Sequence, residues 1–148
     1  MATVTAPQLG SVMQAIYEAI RDDADILALT GAKGSTSPAD GYSRIWNNVP
    51  QDTARPYIRY HMAQAPKDDT KTDDGYAITV TFDIWTDGHT DLLVLQLQDQ
   101  LRAALHNINS LAITGGTVCL IQYLDGTTVQ ESDEAHHGVT RFRVLVTS

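Results

Sequence analysis

The run Tyr76-Ala-Ile-Thr-Val-Thr-Phe-Asp-Ile-Trp85, followed within a few residues by an amphipathic stretch from Asp91 to Asn107, restricts this chain more than any other feature. Tyr76, Ile78, Val80, Phe82 and Ile84 alternate with Ala77, Thr79, Thr81, Asp83 and Trp85, the two-residue period of a strand with one face against a core. In the next stretch Leu93, Val94, Leu97, Leu101, Ala104, Leu105 and Ile108 recur at helical spacing, with Gln96, Gln98, Asp99, Gln100 and Arg102 mostly off the stripe. Asp87 or Thr90 is expected to cap that helix. A half-buried strand leading into a helix needs a second layer, and no catalytic motif accompanies the pair.

Upstream, Val12, Ala15, Ile16, Ala19, Ile20, Ile26 and Leu27 place another amphipathic helix between Ser11 and Leu29, interrupted in pattern only at Asp23. Ser11 and Gln14 have the form of a capping box, and Gly31 supplies a stop. Arg44-Ile-Trp-Asn-Asn-Val-Pro50 reads as a short extended piece. Pro56 opens a strand, Tyr57-Ile-Arg-Tyr-His-Met62, at a position where its missing donor does little harm. Gln64 to Gly75 holds four Asp and two Lys and is expected to project as a long hairpin loop. After Gly115-Gly116, Thr117–Leu124 reads as a buried strand and Val139–Val146 as an alternating one, with the polar stretch Asp125–Gly138 joining them. The order helix, strand, strand, helix, strand, strand predicts an α+β fold, two helices packed on one face of a mostly antiparallel sheet of four to five strands.

With 148 residues there is room for one domain, 1–148, able to bury about two-thirds of the surface its unfolded chain exposes. A net charge of −8 disfavours a reader of nucleic acid, which needs Lys and Arg to replace phosphate counterions. The same charge suits a surface past which DNA slides without being held. Cys119 is the single cysteine, so no intrachain disulfide forms, and Val118, Leu120 and Ile121 around it favour a buried core thiol over a reactive one. The start Met-Ala-Thr-Val-Thr-Ala-Pro lacks the basic and apolar segments of a signal peptide, and no stretch has the roughly 20 apolar residues of a membrane span. No membrane partner is expected.

Several motifs fall short of a site. Gly31-Ala-Lys-Gly-Ser-Thr36 superficially matches a phosphate loop, but a helix precedes it, none follows, and the spacing differs from a Walker sequence. Glu131-Ser-Asp-Glu-Ala-His-His137 has metal-ligand residue types, yet adjacent histidines on an extended segment point to opposite sides. His61, His89 and His106 are scattered, and no Ser or Cys sits in a nucleophile setting. No catalytic residue, cofactor or metal is assigned. Trp85 reads as a core plug at the helix junction in preference to an interface anchor, while Trp46 is open between the two. Arg141 and Arg143 share a face of the last strand, either a solvated edge or a subunit interface with acidic partners.

Read in order, these segments resemble the tail terminator or tail-completion proteins of long-tailed bacteriophages and phage-derived gene transfer particles. The resemblance rests on Arg44-Ile-x-x-x-x-Pro50, Pro56-Tyr-Ile-Arg-Tyr60, Asp83-Ile-Trp85, the Leu-rich helix 92–105 and Arg141-Phe-Arg-Val-Leu-Val146, and spans residues 11 to 147. The helix departs from the family in carrying Gln and Asp where members more often have Ala, Glu and Arg. The resemblance implies a structural virion protein, not an enzyme, assembling as a homo-oligomeric, hexameric ring that caps the tail tube, ends its polymerisation and meets head-completion proteins. Its partners would be copies of itself, the tail tube protein, the head connectors and, transiently, passing DNA, in the virion and in the host cytoplasm during assembly. Under that implication Asp68, Asp69, Lys71, Asp73 and Asp74 form a loop at the lumen or tube end, and Trp46, Arg141 and Arg143 lie at a subunit interface. Another head-tail connector or tube component, and more distantly a small enzyme or ligand-binding domain, are the alternatives.

Overall fold

Thirteen residues of alternating pattern make a central strand, with strands on both sides of it and the described helices over one face. The computed structural model describes residues 7–21, 23–30, 44–47, 49, 55–67, 75–106, 108–132 and 134–147. Its elements are α1 (Leu9–Arg21), α2 (Ala24–Thr30), β1 (Ile45–Trp46), β2 (Tyr57–Gln64), β3 (Gly75–Asp87), α3 (Leu92–Leu105), β4 (Leu111–Ile113), β5 (Gly116–Ser132) and β6 (Ala135–Thr147). The strands form one sheet in the order β1-β2-β3-β6-β5-β4, antiparallel except for the short β1–β2 pair.

The α+β architecture with helices over one sheet face agrees with the sequence reading, but the sheet has six strands in place of four to five and the helices number three among the described residues. The expected helix from Ser11 to Leu29 is two helices. Asp23 lies between them and accepts hydrogen bonds from the backbone N–H groups of Asp25 and Ile26 at 3.1 and 3.0 Å, so its carboxylate starts α2. The expected capping box at Ser11 does not form: α1 already starts at Leu9, and Ser11 Oγ accepts from Thr114 N–H at 2.8 Å, tying the helix to the β4–β5 turn. At α3, Thr90 Oγ1 receives Leu92 N–H at 3.4 Å while Asp87 is engaged elsewhere, by Arg55.

The second correction concerns Asp125–Gly138. Nearly all of it is strand, since β5 runs to Ser132 and β6 starts at Ala135, with Ser132 paired to Ala135. Bulges between Val118 and Leu120, Tyr123 and Asp125, and Gln130 and Ser132 keep β5 in step with β6 despite its greater length. Cys119 falls at the first bulge and is half-buried, its thiol 3.7 Å from Thr117 O, so it is less enclosed than a core thiol. Gln64–Gly75 is also shorter as a connection than expected, because Ala77 N–H donates to Pro66 O and Lys67 bridges to Tyr76. Residues 68–74 lie outside the described set.

The core lies between the helices and one sheet face. Ile78, Val80, Phe82 and Ile84 of β3 and Phe142 and Val144 of β6 meet Val12, Ile16, Ile20, Ile26, Val94, Leu97, Leu101 and Leu105, all essentially excluded from solvent. Phe82 and Phe142 pack edge to face with centroids 5.6 Å apart, and Tyr17 of α1 stacks on Tyr60 of β2 at 5.5 Å. Toward the β5–β6 tip the inner face becomes polar. There Gly126 and Gly138 let α3 come close enough for Gln98, itself buried, to donate to Thr127 O at 3.0 Å.

Candidate interaction surface

The opposite face of the sheet carries no helix among the described residues, and the register fixes which side chains share it. On β2 they are Tyr57, Arg59 and His61; on β3, Thr79, Thr81, Asp83, Trp85 and Asp87; on β6, His137, Val139, Arg141 and Arg143. Cross-strand neighbours on one face touch, so charges far apart in sequence are brought together here.

Asp83 is the centre of the first group. His61 Nε2 lies 3.0 Å from its Oδ2 and His137 Nε2 lies 3.1 Å from its Oδ1, so two ring N–H groups share one carboxylate. Glu131, displaced at the third bulge, puts Oε1 3.4 Å from the other nitrogen of His137. Trp85 stacks flat on His137, centroids 4.1 Å apart and planes 6° from parallel, and the Arg55 guanidinium sits 5.4 Å above the indole while also pairing with Asp87 at 3.1 Å. Trp85 is thus half-buried in an aromatic and ionic cluster on the helix-free face, not a plug in the core. His136, the neighbour of His137, points the other way and is buried beneath the helices.

A second pair lies beside it. Arg141 Nε donates to Asp125 Oδ1 at 2.8 Å and its Nη2 reaches Oδ2, a two-pronged contact between β6 and β5. The guanidinium holds the Asp125 carboxyl below its ordinary range, and the carboxylate in turn raises Arg141. The acidic partner expected for Arg141 at a neighbouring subunit is therefore present in its own chain. Arg143 is exposed on the same face. Trp46 is half-buried on β1 at the sheet edge, with its indole Nε1 buried and without a hydrogen-bond partner among the described residues. Asp68, Asp69, Lys71, Asp73 and Asp74, like Gly31–Thr36, lie outside the described residues.

Among the described residues no group of three or more His, Cys, Asp or Glu side chains is arranged to hold a metal ion. No described helix is long and apolar enough to cross a membrane. The convergence of His61, Asp83 and His137 was not foreseen, because they are separated by 22 and 54 residues and only the strand register joins them.

The family described as tail completion protein gp17 matches residues 14–147. The fold is similar to that of a chain in a solved virion of a native gene transfer agent (GTA) particle, with a TM-score of 0.78 at 18% identity over 94% of this chain and 96% of that one. No protein of curated function matches by sequence.

Proposed function

The chain belongs to the tail completion protein gp17 family, and from that premise we propose that it closes a ring, hexameric by family resemblance, on the head-proximal end of the finished tail tube. As a member it is a structural protein of the virion tail and not an enzyme. In the proposed role the ring ends tube polymerisation and offers its outer surface to the head-completion proteins. The observation that carries this reading is the family match across almost the whole chain, joined to a broad sheet face built of matched charges and stacked rings in place of a reactive cleft.

A closed ring needs two unlike patches on each subunit. Trp46, Arg141 and Arg143 are proposed to belong to them, with Arg141 acting through the face it builds with Asp125. The net charge of −8 keeps free subunits apart and soluble before a tail exists. The acidic run Asp68, Asp69, Asp73 and Asp74, with Lys71, is assigned to the channel rim, where like charge lets DNA pass without adhering.

The direct test is tail assembly without this chain. Tubes of uncontrolled, excessive length observed by negative-stain imaging are the expected result; tubes of normal length would overturn the proposal.

A further inference from the structure

The sheet ends differently on its two sides. Beyond β4, which covers only residues 116–118 of β5, the outward N–H groups of Ile121 and Tyr123 are taken by Ile108 O at 2.9 Å and His106 Nδ1 at 3.2 Å. From Leu124 to Ser132 no strand pairs with the outer edge of β5 among the described residues. The bulges at Leu124 and Glu131 bracket a regular run, Asp125–Gln130, of the length of an ordinary strand. Such an edge is a template for another strand unless something blunts it.

Apolar groups flank this edge. The large hydrophobic side chains exposed among the described residues are Leu92, Leu95, Leu124 and Val129, all on α3 or β5. The side of α3 facing β5 is marked by Asp91 at Thr128, Gln98 at Thr127, and Arg102 and His106 at Tyr123. Leu95 lies four residues after Asp91 and seven before Arg102, hence on that same side.

The complementary patch lies at the other end of the sheet. Register links Ile45, Ile58, Ile84, Gly138 and Thr128 in one row across five strands, so β1 sits at the same level as the open part of β5. β1 runs parallel to β2 and so opposite to β5. A second copy turned about an axis along the strands therefore presents β1 antiparallel to that edge, the pairing that dominates this sheet. We infer that the outer edge of β5 from Leu124 to Ser132 receives the β1–β2 end of a second copy, so that one sheet continues from subunit to subunit. This rests on the ring reading and specifies its contact as main-chain strand addition.

The test uses subunits assembled on tails. In a chain with Cys119→Ser, cysteines are placed at Thr127 and Trp46, which register puts in one row and on one face, and the tails are oxidised. A ladder of disulfide-linked copies from the double variant, and none from either single variant, is expected. Copies joined by a general amine-reactive cross-linker but giving no such ladder would leave the ring standing and overturn this edge assignment. Absence of any copy-to-copy cross-link on tails would overturn both.

Discussion

Gly138 shows how one hydrogen in place of a methyl group positions a whole helix. A Cβ there would lie 2.3 Å from Val94 Cγ1 and 3.1 Å from Gln98 Nε2, and a β-branched valine on a packed helix has little freedom to withdraw. Gly138→Ala is expected to lower unfolding free energy by about 1–3 kcal/mol, the usual range for overpacking a core, measured by urea denaturation. Gly10 is the contrast, since nothing lies within 4 Å of its Cβ position on α1; Gly10→Ala should raise stability by a few tenths of a kcal/mol, from propensity near a helix end alone. The Asp125–Arg141 pair gives a prediction in pH. Because Arg141 lowers the Asp125 carboxyl below its ordinary value of 3.8, the folded chain binds its proton less readily than the unfolded chain does. The contribution is whole above that value and is lost as pH falls through the folded one. Both side chains are nearly half exposed, so solvent keeps it small. Asp125→Asn should therefore shift the urea midpoint slightly downward at pH 7, and by less and less as the pH falls below 3.8; a shift that stays constant with pH would show that the carboxylate charge is not responsible.

At the scale of elements, the break between α1 and α2 depends on one carboxylate. Removing it by Asp23→Ala should cost about 0.5–2 kcal/mol, as for other lost helix caps, and accelerate amide exchange over residues 24–30 while leaving α1 protected. An unchanged exchange pattern would mean that packing of Ile26 in the core, not the cap, holds α2. The same residue explains what the sequence conceals: apolar spacing continues through Asp23 because α1 and α2 both bury residues against one core, so periodicity alone merges them. The strand Tyr76–Trp85 and the helix 92–105 were legible because each buries a clean stripe. The arm from Asp125 to Gly138 was not, for its inner positions are Gly126, Thr128, Gln130, His136 and Gly138, which face Gln98 and the start of α3 where the core has become polar. Composition there imitates a loop while the backbone is strand. The aromatic and histidine cluster was illegible for another reason, as the residues that meet at Asp83 come from three strands whose pairing no local pattern reveals.

For the molecule as a whole, the sheet order sets a gradient of stability. β3 lies between β2 and β6, and β6 between β3 and β5, so exposing either requires separating the sheet beneath the buried layer of Ile78, Val80, Phe82, Phe142 and Val144. Their amides should exchange with solvent only through global unfolding. β5 beyond Tyr123 is held on one side, through β6, and its outward amides face no strand among the described residues. Hydrogen exchange measured by mass spectrometry on the free chain is therefore expected to find peptides over 78–84 and 140–146 protected to the level of global stability, and 124–132 markedly faster. The same measurement on assembled tails separates two ways of building a ring. If subunits meet through that edge, protection rises across 124–132 and hardly changes at 78–84, which is already limited by unfolding; if they meet through the helix-free face, side chains are covered but the outward amides of β5 continue to exchange. Slow exchange of 124–132 in the free chain would show that this edge is already closed within one subunit, and the ring would then have to form through the face around Asp83.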